Sequence, residues 1–169
     1  GKYPVISISL KGINAAAYED AFDFAVQIIK EVAATMQFLL ESKQLSEYDK
    51  SEYQKLLDSN MSEAVFCSGL KKLSILLEKH YGTKVVLLID EYDVPLAKAF
   101  ENRYYDQMLF LIRNLLEQGL KTNNSLKFAV MTGCMRISKE SIFTGLNNFT
   151  TFTITDVDFD EYFGFPDQE

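Results

Sequence analysis

Three carboxylates follow directly on the most apolar strand that the sequence predicts. Val85 to Ile89 is an unbroken apolar run, and Asp90, Glu91 and Asp93 come just after it. Such a run, rich in β-branched residues, is typical of a strand buried on both faces of a parallel sheet. Ligands of open α/β sheets bind at the carboxyl ends of the strands. The pattern therefore predicts a carboxylate cluster at a ligand-binding edge, where a cation would offset the repulsion between like charges.

An Asp-Glu pair at the end of a buried strand is the Walker B arrangement of nucleoside-triphosphate hydrolases. In that arrangement the Asp holds Mg²⁺ and the Glu orients the attacking water. The sequence thus suggests Asp90 and Asp93 as metal ligands and Glu91 as a catalytic carboxylate. Polar loops often follow buried strands, so an acidic loop without a catalytic part is the alternative that the run alone leaves open.

Composition limits the classes of protein that need to be considered. With 169 residues, 47% of them hydrophobic and 24% charged, the chain is long enough for one domain with a core. A net charge of −7 argues against direct nucleic-acid binding by this segment. No apolar stretch approaches the roughly 20 residues of a membrane span, and no signal peptide is visible. We therefore expect no membrane partner and a cytoplasmic location.

The thiols and the single histidine give little support to other chemistries. Cys67 and Cys134 form no CxxC pattern, which suits free thiols in a reducing compartment. We expect Cys134 to be a buried structural thiol, because no histidine is near it in sequence. A zinc site or a catalytic triad would have to use His80, which lies beside Lys79 late in a predicted helix, a favourable place for a partly cationic ring.

Strands and helices alternate along the chain. The predicted elements are a strand at 3–10, helices at about 17–40, 46–58 and 60–82, a strand at 84–90, a break at Pro95, a helix at about 102–118, a strand at 126–132, a loop at 133–148 and a β-rich segment at 149–155. Asn60 and Glu63 are expected to cap the third helix. This alternation predicts a parallel sheet with helices on both faces, in a single domain over 1–169 with a helical insert at about 41–82.

Further candidate residues follow the strand at 126–132. Thr132 offers a hydroxyl, and Arg136 a cation that could contact phosphate. A surface salt bridge with Glu140 or with the acidic cluster is the alternative for Arg136. A phosphate cradle of the form GxxxxGK[ST] occurs nowhere in the 169 residues. Since Mg²⁺ sites normally use substrate phosphates as well as carboxylates, we expect this chain alone to bind nucleotide weakly and not to hydrolyse it.

Two strings carry a resemblance to a known family. They are DEYD at 90–93 with Pro95, and TGCMRISKESIFTGLNN at 132–148; KYPVISISL at 2–10 and FGF at 163–165 add to them. With these strings the sequence resembles the AAA-ATPase-like domain family of bacterial proteins over nearly its whole length. Many full-length members of that family resemble a fusion of this ATPase-like domain to a C-terminal nuclease-like domain.

The resemblance implies a fold and a set of roles. The fold would be a three-layer P-loop NTPase-like α/β fold of the additional-strand type, with a mostly parallel sheet between helices, incomplete at the N-terminus because the family's P-loop lies upstream. Asp90 would be the Mg²⁺ residue and Glu91 the hydrolytic carboxylate, while Thr132 and Arg136 fall at the sensor position. ATP and Mg²⁺ would then serve the longer protein, and neither is expected to be bound to this chain alone.

Two rival functions and one expectation about the sheet remain open. The chain could be a non-catalytic binding or scaffold module, or a metal-dependent phosphoesterase or nuclease that uses Asp90, Glu91 and Asp93 directly. A P-loop upstream of Lys2 would favour the ATPase. Without the P-loop strand, the strand at 126–132 would keep an open edge, so we expect either pairing with the segment at 149–155 or a homodimer through that edge.

Overall fold

The computed structural model describes residues 1–134 and 150–153. Its strands and α-helices are β1 (Val5–Ser9), α1 (Tyr18–Ala34), α2 (Glu47–Gln54), α3 (Glu63–Tyr81), β2 (Val85–Asp90), α4 (Val94–Glu101), α5 (Tyr105–Leu116) and β3 (Leu126–Met131). The strands form a parallel sheet in the order β1-β2-β3. The predicted α/β class is therefore confirmed, and the strand that ends in Asp90 is the central one.

One face of the sheet is buried beneath the helices. Ile6 and Ile8 of β1 lie beside Leu87 and Ile89 of β2, and all four side chains are at most 3% exposed. Alternate residues of a strand point to opposite faces, so these four side chains share one face. They belong to a continuous core with the inward sides of α1, α3 and α5. This core holds the three strands in register and so fixes the positions of the residues at their ends.

The opposite face of the sheet is open in the part of the chain that the structure describes. Val5, Leu88, Phe128 and Val130 are between 38% and 50% exposed. The prediction of helices on both faces does not hold for residues 1–134 and 150–153, where the helices lie on one side. The apolar run of β2 led to that prediction because an unbroken run is read as buried on both faces, yet Leu88 is solvent-accessible.

Two helix ends differ from the prediction for local reasons. α1 ends at Ala34 instead of near residue 40, because the N–H and hydroxyl groups of Thr35 both donate to the carbonyl of Val32. This i, i−3 bonding tightens the chain, and a 3₁₀ turn at Gln37–Glu41 follows. The cap of α3 is Ser62, whose hydroxyl accepts from the Val65 N–H; the predicted cap, Asn60, lies in the preceding turn.

Pro95 begins a helix where a chain break was predicted. It lies in the first turn of α4, a position in which proline has no N–H to satisfy and its fixed φ suits the helix. The helix predicted at about 102–118 is α5, followed by a π-helical turn at Glu117–Lys121. Residues 150–153 form no strand, and the rest of the predicted β segment lies outside the described residues. Across the described parts of the chain, none of the helices is both long and apolar enough to cross a membrane.

Candidate functional site at the carboxyl edge of the sheet

The three strands deliver their last residues to a common edge. Ser9 pairs with Asp90 in the register of β1 and β2, and the N–H of Leu10 donates to the Asp90 carbonyl at 3.0 Å. On the other side of β2, the N–H of Thr132 donates to the Ile89 carbonyl at 2.9 Å. The ends of β1 and β3 therefore flank Asp90, as parallel strands require.

Asp90 is joined to the neighbouring strand through its side chain. The hydroxyl of Thr132 donates a hydrogen bond to Asp90 Oδ1, and both residues are solvent-exposed. Carboxylate and hydroxyl oxygens are hard donors of the kind that Mg²⁺ selects, and Mg²⁺ commonly takes only one or two protein carboxylates beside phosphates and water. The exposed Asp90 carboxylate therefore fits a Mg²⁺ ion whose other ligands come from a substrate.

Glu91 is directed to the opposite side of β2. Its carboxylate accepts the Ser9 hydroxyl at 3.3 Å and lies 3.8 Å from the ammonium group of Lys11. Its φ is 53°, in the left-handed region that non-glycine residues seldom adopt. This backbone turn follows directly after Asp90, so the two adjacent carboxylates diverge, one toward β3 and one toward β1.

Asp93 occupies a different environment from the other two carboxylates. It is 2% exposed, and its Oδ2 atom accepts the backbone N–H of Cys134 at 3.0 Å. Gly133 packs against it, because a Cβ atom added there would come within 2.8 Å of Asp93 Oδ1 and of the Tyr92 ring. Burial, and secondarily the Asp93 charge, raises the pKa of the Tyr92 phenol. Asp93 thus lies beneath the edge at which Asp90 is exposed.

The structure brings together most, but not all, of the residues that the sequence singled out. Asp90, Glu91, Asp93 and Thr132 lie at one edge, while Arg136 falls outside the described residues. Within residues 1–134 and 150–153, no group of three or more His, Cys, Asp or Glu side chains is arranged to hold a metal ion. Any metal held at this edge would therefore need ligands from a substrate or from other parts of the protein.

Two residues of the edge had been assigned no role from the sequence, and one expectation was wrong. Ser9 and Lys11 contact Glu91, and the only sequence signal for them was their place at the end of the first strand. Cys134 is exposed, because it follows β3 at the open edge, so the prediction of a buried thiol is corrected; Cys67 is the buried one. Burial raises the pKa of Cys67 to about 11.

His80 takes no part in this edge. α3 ends just before β2 begins, so His80 lies at the opposite end of β2 from Asp90. Its Nδ1 atom is 2.8 Å from the hydroxyl of Ser42, and its ring packs against Phe38 and Tyr81. These contacts indicate that His80 contributes to the packing around the end of α3.

A sequence model of the family described as "Predicted AAA-ATPase" matches residues 1–143. The chain belongs to this AAA-ATPase-like family. The resemblance expected from the sequence is thereby confirmed, and the described edge, from Ser9 to Cys134, lies inside the AAA-ATPase-like match.

Another comparison finds a partial match between this AAA-ATPase-like chain and a longer protein. The chain is 31% identical over 74 residues to an uncharacterized protein in the vnfD 5′ region of Azotobacter chroococcum mcd 1. The match covers 43% of this chain and 14% of that protein, so the matched segment spans a small part of the relative. No solved structure matches the chain. What the whole protein does is therefore a matter for proposal.

Proposed function

We propose that this chain supplies the Walker B and sensor strands of a P-loop NTPase-like domain that binds and hydrolyses ATP in the longer protein. The observation that carries the proposal is the placement of Asp90 and Glu91 at the carboxyl end of the central strand, with the Thr132 hydroxyl on Asp90 from the next strand. Membership of the AAA-ATPase-like family supports a domain of this class.

Asp90 and Thr132 act on the metal side of the site in this proposal. Asp90 is the Mg²⁺ residue, and the Thr132 hydroxyl fixes the rotamer of its carboxylate by donating to Oδ1. When bound, Mg²⁺ supplies positive charge that offsets the charge of the β- and γ-phosphates. The sensor role of Thr132 follows from its position, since a hydroxyl beside the metal carboxylate is within reach of groups bound there.

Glu91 acts on the water side of the site. Its carboxylate is only 29% exposed, and the Ser9 hydroxyl and the Lys11 ammonium group hold it toward β1. A carboxylate held in this way can accept a hydrogen bond from water and orient that water for attack. Arg136 is proposed as a cation that contacts phosphate, on the basis of its place in the sequence after β3.

The remaining parts of the proposal concern the protein as a whole. ATP and Mg²⁺ bind to a form that carries a P-loop, which we expect upstream of Lys2, since no GxxxxGK[ST] occurs in the chain itself. We propose a cytoplasmic location and no direct nucleic-acid binding by this acidic segment. We also propose that a homodimer can form through the outer edge of β3, which pairs with no strand among the described residues.

The Asp90→Asn substitution tests the proposal in a form of the protein that carries a P-loop. Asn keeps the size of the side chain but offers a weaker ligand to Mg²⁺, so ATP affinity measured with Mg²⁺ should fall at least about tenfold, while affinity in EDTA should stay unchanged. Asp23→Asn, on the exposed side of α1, is the matched control. Calorimetric titrations that find equal Mg²⁺-dependent affinity in Asp90→Asn and the control would remove Asp90 from the metal site.

Failure of the longer form to bind ATP at all would have a different meaning. It would favour the non-catalytic scaffold, in which the same fold is kept without turnover. Hydrolysis of a nucleic acid or phosphoester by the longer form, lost on Asp90→Asn, would instead favour the phosphoesterase. Each of the two alternative functions therefore predicts a result that differs from the result expected for an ATPase.

A further inference from the structure

The side chain of Asp93 is used away from its own helix. Asp93 is the N-cap residue of α4, where an Asp carboxylate commonly accepts from the first N–H groups of the helix, but here it makes no such hydrogen bond. Its Oδ2 atom instead accepts the N–H of Cys134, 41 positions further along the chain. The carboxylate therefore ties the loop after β2 to the backbone that leaves β3.

Gly133 makes this approach sterically feasible. The Asp93 carboxylate and the Tyr92 ring lie so close to the Gly133 backbone that an added Cβ would be 2.8 Å from each of them. Cβ atoms essentially never show contacts this short, so a larger residue at position 133, just after β3, would force the Asp93 carboxylate or the Tyr92 ring to move. The loop and the strand exit are thus packed directly against each other.

The same contacts determine where Thr132 lies. The Thr132 carbonyl accepts from the N–H of Tyr92 at 3.3 Å, and the N–H of Thr132 donates to the Ile89 carbonyl at 2.9 Å. The Asp93 hydrogen bond then holds Cys134, two residues beyond Thr132. Thr132 is therefore anchored on both sides, which keeps its hydroxyl in reach of Asp90.

A metal-ligand role fits Asp93 poorly. Mg²⁺ requires near-octahedral coordination and usually retains several waters, so its carboxylate ligands need open space around them. Asp93 is 2% exposed, one of its oxygens accepts a backbone N–H, and the other faces Gly133. Asp90, in contrast, is exposed at the edge.

We infer that Asp93 is a positioning residue: its carboxylate fixes the chain at Cys134 and so places the Thr132 hydroxyl against Asp90. The inference rests on the proposed function only for the reason why Thr132 has to lie against Asp90. The contact between Asp93 and Cys134 does not depend on that function, because it is formed within the chain itself. The role requires a hydrogen-bond acceptor of the right shape at Asp93, and it requires no negative charge there.

Amide hydrogen exchange at Cys134 in the 169-residue chain tests the inference without nucleotide. Asp93→Asn keeps an acceptor oxygen and removes the charge, so Cys134 exchange should stay within about threefold of the unmodified chain. Asp93→Ala removes the acceptor, and exchange at Cys134 should be at least about tenfold faster. Gly133→Ala should show the same acceleration although Asp93 is intact, and Asp23→Asn should change nothing.

Two results would overturn the inference. The first is amide exchange at Cys134 that is as fast in Asp93→Asn as in Asp93→Ala. If the Ala variant does not fold, a tenfold acceleration in Asp93→Asn overturns the inference in the same way. The second comes from Mn²⁺, used as a paramagnetic probe: line broadening that Asp93→Asn abolishes and Asp90→Asn leaves intact would make Asp93 the metal ligand. Broadening that survives Asp93→Asn, or no broadening, agrees with a positioning role. Lack of ATP binding by the longer protein would leave all these results unaffected.

Discussion

Glu91→Gln separates the chemistry proposed for the carboxyl edge from its structural contribution. Glutamine has nearly the shape of glutamate and keeps one acceptor oxygen, so the hydrogen bond from the Ser9 hydroxyl, at 3.3 Å, is retained. The substitution removes the negative charge that faces the Lys11 ammonium group at 3.8 Å. It also leaves the backbone at residue 91 free to keep its φ of 53°.

The two expected effects of this substitution differ in size. The Lys11 side chain is 75% exposed, so the lost ion pair should lower the free energy of unfolding by about 0.2–1 kcal/mol at most. Loss of a general base typically slows turnover by about 10²–10⁴, which corresponds to roughly 3–5 kcal/mol in the activation free energy. Turnover should therefore collapse in a protein that remains folded and still binds ATP.

The assay is ATP hydrolysis at saturating Mg-ATP by the longer protein, together with calorimetric binding and urea unfolding of the same samples. Glu101→Gln is the matched control, because it removes an exposed glutamate that pairs with Lys98 at 3.0 Å in α4. Hydrolysis by Glu91→Gln at the rate of the unmodified protein would refute the role of Glu91. A loss of turnover matched by an equal loss of ATP affinity would show a defect in binding instead.

Three further outcomes are expected for the 169-residue chain. Because its sequence lacks a phosphate cradle, it should show no ATP turnover and an affinity no tighter than about millimolar; micromolar binding by calorimetry would contradict this. Mass spectrometry should find Cys134 modified by a thiol reagent in the native chain and Cys67, whose pKa burial raises to about 11, modified only in denaturant; native labelling of both at one rate would count against the described packing. Burial raises the pKa of Asp49, but hydrogen bonds from Lys79 and Ser46 outweigh this effect and hold the pKa below its usual value. The stability that Asp49 contributes is therefore present above the pKa of the unfolded state, and it is lost as the pH falls through the pKa of the folded state. The urea midpoint should therefore drop less in Asp49→Asn than in the unmodified chain between about pH 6 and about pH 3, and an equal drop would show that other groups govern acid stability.

The parallel direction of the strands followed from the sequence, because strands and helices alternate along the chain. The order of the strands in the sheet, β1-β2-β3, was not predicted. The apolar run of β2 and the helices that separate it from β1 and β3 are sufficient to predict parallel strands. The layering was harder to predict, because an apolar run does not say what covers each face. Leu88 and Val130 are apolar and yet substantially exposed in the described part of the chain. Pro95 was also ambiguous, since the same residue can end one segment or begin a helix.

The candidate site could be predicted as far as the ends of the strands and no further. Asp90, Glu91 and Thr132 were found because parallel strands bring their carboxyl ends to one edge. Asp93 looked equivalent to Asp90 in the sequence, with two residues between them. Its burial depends on the close approach of Gly133, a contact between segments 40 residues apart that no local pattern encodes.

The central position of β2 explains how two adjacent carboxylates can share one edge. Asp90 and Glu91 would repel each other if both faced the same space. A central strand has a neighbour on each side, so Asp90 is held by Thr132, just after β3, and Glu91 by Ser9 of β1. The left-handed backbone at Glu91 produces this divergence, at a cost of about 1–3 kcal/mol that the surrounding structure must offset. An edge strand, with a neighbour on one side only, would leave one of the two carboxylates without a partner. The arrangement therefore needs the strand order that the chain adopts, and it links the sheet topology directly to the separate roles proposed for the two carboxylates.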